Sequence, residues 1–359
     1  MIGVAALFLP KLFQVLTWRP IIIAGGLLSF IGMAGMALFD SLYMFYILGV
    51  IRGLGATSFQ MVAIAVIINN WFEEKNGVAM SMASAFSGFV SMVAAPLVSI
   101  VVADQGWRMG FIVTGLVVVI FLLPAIIYPL TIKPEDSGLL PYGKIDDPIT
   151  SDSQSTGLTH PQTTSISKPA FIAMFLLALL STMVMGMNQH LSSYGESLGM
   201  SVQYSGYMLS AVMLGGVFFK LTVGTVLDRI GSVKTTILLN TINVIGLLLL
   251  IFGKGTTIPV LAAFIFGSIF SLGSVVMPLL TNEIFGRQHF AKVFPMIVFI
   301  SNIGIALANT LVGYVFDFTG TYTLAFIIGI IFQIFNLALL FIAVKHGLKQ
   351  GLASEQAIK

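Results

Sequence analysis

The chain has 359 residues, 57% hydrophobic and 9% charged, with a mean hydropathy of +1.01 and a formal net charge of +3. An average soluble domain is about 25% charged, and 17 basic plus 14 acidic side chains cannot coat two of them, so neither a soluble enzyme nor a nucleic-acid partner is expected. Having no cysteine removes disulfides, thiol catalysis and Cys-based metal sites; four scattered histidines form no metal cluster, and no cofactor is expected.

A helix needs about 20 apolar residues to cross a bilayer core. In chain order, eleven spans are predicted: 1–16, 19–38, 43–70, 77–102, 107–131, 169–193, 203–227, 233–252, 257–281, 292–316 and 322–345. Their joints are short and polar, as at Asp40-Ser41 and Glu73-Glu74-Lys75. The runs are too long and too uniformly apolar for barrel strands. The expected fold class is all-α, polytopic and embedded in a lipid bilayer. Residues 132–168 break the pattern with Lys133-Pro134-Glu135-Asp136, Asp146-Asp147-Pro148 and a Ser/Thr/Gln-rich stretch. That composition predicts a flexible linker between a bundle over 1–131 and a second over 169–346, followed by a tail over 347–359.

Lysine and arginine set the orientation. With the linker in the cytoplasm, thirteen of the 17 basic residues fall inside, among them Lys11, Arg19, Lys133, Lys234 and Lys345. Only Arg108 and Lys254 fall outside, and Arg52 and Lys220 lie within spans. The C-terminus is therefore expected in the cytoplasm, with the protein in the plasma (inner) membrane. An internal repeat is visible at an offset of 215, which pairs Arg19 with Lys234, Trp107 with Tyr322 and Phe111 with Phe326. Upstream of those anchors the first half is shorter by about one helix and a loop. Five spans against six predict that the first half lacks an opening helix.

The sharpest motif is Gly224-Thr225-Val226-Leu227-Asp228-Arg229-Ile230-Gly231-Ser232-Val233-Lys234. Its glycines permit a tight turn, and Asp228 and Arg229 can contact neighbouring helix ends. It resembles the loop motif of the major facilitator superfamily, and the six-plus-six repeat agrees. The equivalent first-half stretch has Phe13 where the acid is expected. Trp71-Phe72, Lys75, Gly77, Ala79, Ala83, Ala85 and Gly88, then Pro96 and Gly106-Trp107-Arg108, resemble the fifth-helix signature of monocarboxylate porters. Gly313 to Tyr322 resembles that group's turn between its last two helices. The resemblance implies a major facilitator fold of two six-helix bundles and secondary active transport by alternating access.

A charge within a span costs about 2.5–3.5 kcal/mol on insertion scales. Arg52 and Lys220 lie there without an Asp or Glu. Two such cations imply that the anion arrives with the substrate, and a carboxylate hydrogen-bonds well to either. By resemblance to oxalate/formate antiporters and monocarboxylate porters, Lys220 stands where an arginine engages the substrate carboxylate, and Arg52-Gly53-Leu54-Gly55 matches a common fourth-helix feature. Histidine as a residue type suits proton transfer, so His190 is read either as a substrate or proton group or as a hydrogen-bonded packing residue, with Gln189 and Tyr194 beside it. Asn302 and Asn309, seven residues apart, share a helix face; Asn302 is taken as a substrate contact. The expected function is a monomeric, non-enzymatic transporter of a small organic anion, monocarboxylate-like and coupled to protons by resemblance. The alternatives are a hydrophobic drug efflux carrier and a non-transporting sensor or remnant.

Overall fold

The computed structural model describes residues 2–128, 131–143 and 166–356. In the first half the helices are α1 (Ile2–Ala6), α2 (Leu9–Val15), α3 (Trp18–Gly35), α4 (Leu42–Ala56), α5 (Met61–Trp71), α6 (Asn76–Gln105) and α7 (Trp107–Ile127). The second half holds α8 (Lys168–Gly186), α9 (Leu191–Ser197), α10 (Val202–Ile230), α11 (Ser232–Phe252), α12 (Thr257–Phe266), α13 (Ile269–Ser271), α14 (Met277–Thr319) and α15 (Thr323–Gln356).

Among the described residues eight stretches are long and apolar enough to cross a membrane, where eleven were predicted. Predicted span 1–16 forms the two short helices α1 and α2, and 77–102 lies inside α6. The spans 257–281 and 292–316 fall in one 63-residue stretch, Thr257–Thr319. That stretch is two rods, because Gly286 at φ 73° and ψ 162° leaves the helical region. Only glycine enters that region without steric cost, so a turn is made with almost no loop. Gly231, at φ 83°, ends α10 and starts α11 in the same way.

Packing in the second half is dense. Helix α8 lies against α14 and α15, and α10 and α11 both lie against α12. Within this bundle sits an uncharged polar network. Gln333 Nε2 donates to Asn243 Oδ1 at 2.7 Å, and Asn336 Nδ2 donates to Gln333 Oε1 at 3.0 Å and to Ser181 Oγ at 3.1 Å. Asn243 Nδ2 in turn donates to the Phe266 carbonyl at 3.2 Å. Beside the network the chain winds as a π-helix over Leu272–Val276.

The linker begins as a docked segment. Trp71 Nε1 donates to the Thr131 carbonyl at 2.9 Å, Asn70 Nδ2 to the Ile132 carbonyl at 3.1 Å, and the Tyr142 amide to the Trp71 carbonyl at 2.8 Å. Residues 131–143 are thus held under the end of α5. The rest of the predicted linker, 144–165, lies outside the described residues.

Candidate functional site

The halves meet most extensively where α6 crosses α10. Small residues let the two backbones approach. A Cβ on Gly77 would strike the Asp228 carboxylate, and one on Gly224 would strike Ser81. The approach serves a specific bond pair. Asp228 accepts from the Gly77 amide at 2.9 Å and from the Val78 amide at 3.0 Å. These are first-turn N–H groups of α6, orphaned by helix geometry and carrying the positive end of the helix dipole. The motif acid of one half therefore caps a helix of the other. Arg229, next to it, is exposed.

A second contact joins the same end of the molecule. Arg287, just after the Gly286 turn, donates to Glu73 Oε1 at 3.1 Å and to the Phe72 carbonyl at 2.9 Å. Under the 215 offset Phe72 and Arg287 are equivalent positions, so the two loops face each other across the repeat axis. Higher in the seam, Ser81 Oγ donates to the Lys220 carbonyl, and Ser84 Oγ donates to the Ser274 carbonyl at 3.2 Å. Ser274 belongs to the π-helix, whose widened turn is where backbone groups come free of their usual partners. The polar bonds between halves thus gather at the linker end.

Arg52 and Asn302 are brought together. Arg52 on α4 and Asn302 on α14 line one cavity of about 240 Å³, walled also by Ile2, Gly49, Gly53 and Ala56. The cavity lies between the halves, where α1 runs beside α14 at Phe299 and Asn302. Asn302 Nδ2 is engaged by the Val298 carbonyl at 2.8 Å, which leaves its Oδ1 as the acceptor. Lys220 sits elsewhere, half-buried in α10 about 12 Å along the axis from Asp228 at 1.5 Å per residue. Among the described residues neither Arg52 nor Lys220 has an ion-pair partner.

The remaining predicted residues point elsewhere. Tyr194 donates its hydroxyl to the Leu250 carbonyl, and its ring meets Phe326 edge-on at 4.9 Å. His190 lies 6.1 Å from the Tyr322 ring, with Nε2 buried and unpartnered among the described residues. Both therefore pack toward α15 rather than toward Arg52. Gln189, between α8 and α9, is exposed.

Sequence reasoning missed the Glu73–Arg287 contact and the Ser84–Ser274 contact. The first was within reach, since the repeat already makes residues 72–73 and 287–288 equivalent. The second depends on the π-helix, for which the apolar run around Gly273 gives no signal.

Comparison with known proteins agrees with this architecture. The family model described as Major Facilitator Superfamily matches residues 1–218 and 170–358. Monocarboxylate transporter 12 of Xenopus laevis is 26% identical over 340 residues, covering 90% of this chain and 73% of that protein. The Homo sapiens protein of the same name is 25% identical over 341 residues, covering 89% and 66%. Among solved structures, the proton:xylose symporter XylE superposes with a TM-score of 0.74 at 13% identity, covering 96% of this chain and 83% of that one. The transporter FucP in the outward conformation gives 0.70 at 13% identity, covering 95% and 86%. The human organic anion transporter MFSD10 gives 0.65 at 14%, covering 95% and 82%. With the family model spanning both halves and the fold matching throughout, the chain belongs to the major facilitator superfamily and is a multi-pass membrane transporter.

Proposed function

We propose that this transporter moves a small organic anion of the monocarboxylate class by alternating access. The observation that carries the proposal is Arg52, unpaired, in a cavity between the two halves with the Asn302 amide opposite. A carboxylate there would gain charge-assisted bonds to the guanidinium. Lys220, the second unpaired cation within a span, would attract the same group deeper in the α6–α10 seam. The relatives named monocarboxylate transporters point to the same substrate class. The placement of contacts supports alternation: the Asp228 cap and the Arg287–Glu73 pair fasten the linker end, and releasing them would let the halves rock about the cavity. The charge distribution supports a cytoplasmic linker and C-terminus. His190 is then a packing residue, and proton coupling has to be tested without assuming it as the relay.

The test is uptake into proteoliposomes holding the full chain, with a panel of labelled monocarboxylates, with and without a pH gradient. Arg52→Ala removes charge-assisted bonds of about 1.5–3 kcal/mol each, so apparent affinity should fall at least tenfold. Lys220→Ala should also lower it. Uptake unchanged in both variants sinks the anion site. Extrusion of a hydrophobic drug without any carboxylate transport would favour the efflux reading.

A further inference from the structure

A second cavity lies at the linker end, outside the candidate substrate site. Its volume is about 960 Å³, and its walls include Trp18, Arg19, Asn70, Lys133 and Asp136. Three features of its wall favour an anion. Arg19 and Lys133 outnumber the one acid, Asp136. The N-terminus of the 18-residue helix α3 opens here through Thr17, Trp18 and Arg19, and Thr17 gives it no side-chain cap. The free N–H groups and dipole of such an end attract negative charge. Finally, Trp18 is 5% exposed, and its indole N–H has no partner among the described residues.

The cavity continues into an apolar groove. Val15 and Leu16 line both this cavity and a neighbouring one of about 630 Å³, which runs between α2, α3 and α4 past Phe8, Leu12, Ile21 and Leu28. Lys11 is the charged residue on that groove. A basic, donor-rich mouth joined to an apolar channel on a membrane protein has the shape of an amphiphile with an anionic head. Basic pockets of this kind on the cytoplasmic side of membrane helices suit anionic lipid headgroups.

We infer that this composite site binds an anionic phospholipid, with its phosphate between Arg19, Lys133 and the α3 N-terminus and an acyl chain along the α2–α3–α4 groove. The lipid would bridge α2 and α3 to the docked segment 131–136, and so brace the linker end of the first half.

The test uses the full chain, delipidated in neutral detergent and titrated with phosphatidylglycerol brominated on its acyl chains. Bromine quenches tryptophan on contact. The chain has three tryptophans, so repeating the titration on Trp18→Phe isolates the Trp18 signal. Saturable quenching of Trp18 is expected, with the midpoint raised at least tenfold by Arg19→Gln and by Lys133→Gln. Arg19→Lys, which keeps the charge, should restore most of the affinity and separates lost charge from lost folding. Brominated phosphatidylcholine quenching Trp18 at the same midpoint would reduce the site to ordinary lipid contact and overturn the inference. So would inorganic phosphate, or a brominated fatty acid, binding as tightly as the phospholipid, since the cavity would then take a free anion.

Discussion

The Asp228 cap makes a quantitative prediction about which way the transporter faces. Asp228→Asn keeps the side-chain shape and one acceptor, but turns an NH2 toward the second amide of α6. One bond between a charged acceptor and a backbone N–H is lost, worth about 1.5–3 kcal/mol. The favourable charge at the helix end goes with it, worth about 0.3–1 kcal/mol. The Val78 amide is exposed, so the lower part of the range applies, about 2–3 kcal/mol in total. At 1.4 kcal/mol per decade, the equilibrium between closed and open linker ends should shift roughly 30- to 150-fold toward open. The chain lacks cysteine, so spin labels at Glu135→Cys, in the linker segment docked under α5, and Ile230→Cys, in the second half, both exposed, report the linker-end distance cleanly. Asp228→Asn should convert a short-distance population into a long one. Gly77→Ala should do the same, because its Cβ would strike the carboxylate. The double variant should add little to either single, as expected for residues sharing one interaction. An unchanged distance distribution in Asp228→Asn would refute the latch.

Three other substitutions separate strong from weak contacts. Arg287→Gln removes an ion pair whose side chains are 43% and 37% exposed; exposed pairs contribute about 0–1 kcal/mol, so the same label pair should show a shift several times smaller than for Asp228→Asn. Gln333→Leu strands Asn243 Oδ1 and removes one acceptor of Asn336 Nδ2 in a fully buried network. At about 1–3 kcal/mol for each unsatisfied group, the thermal midpoint in detergent should drop clearly, and an unchanged midpoint would mean that the network is already relaxed by water. His190→Phe keeps the ring contact with Tyr322 and should leave the pH dependence of uptake intact, whereas a lost pH response would return His190 to the transport path.

Much of the architecture could be read without coordinates. The all-helical membrane class and the two cations within spans came from residue types and spacing, and the acid of the loop motif from a family resemblance. What stayed hidden was rotational. In a soluble helix the polar face marks the outside, but here lipid and core are both apolar, so Phe and Leu give no phase. Tyr194 and His190 could therefore be assigned to a helical segment but not to an angle on it; Tyr194 packs against Phe326 and His190 against Tyr322. The partner of Asp228 was hidden for another reason. The acid and the amides of Gly77 and Val78 are about 150 residues apart, and backbone N–H groups leave no trace in side-chain chemistry. The Arg52–Asn302 pairing likewise joins α4 to α14, which no local pattern relates.

The repeat also pairs covered positions with exposed ones. In the second half α8 lies over α14 and α15, and there Val312 is 1% and Asn336 0% exposed. At the equivalent first-half positions, Leu97 is 57% and Phe121 51% exposed. Where α8 covers the face, Asn336 joins the amide network; at the exposed first-half positions the side chains are apolar. This contrast can be measured. Phe326, 2% exposed, sits in a closed core, so Phe326→Ala leaves a cavity and should cost about 3–5 kcal/mol. Phe121→Ala removes a ring of the same size, but acyl chains can flow into the space. Without a residual cavity, and with no transfer from water to regain, its cost should stay under about 1 kcal/mol. Thermal unfolding in lipid nanodiscs gives both values under one condition. If Phe121→Ala costs as much as Phe326→Ala, then the outer face of α6 and α7 is packed by protein in the assembled transporter, and lipid contact is not what selected its side chains.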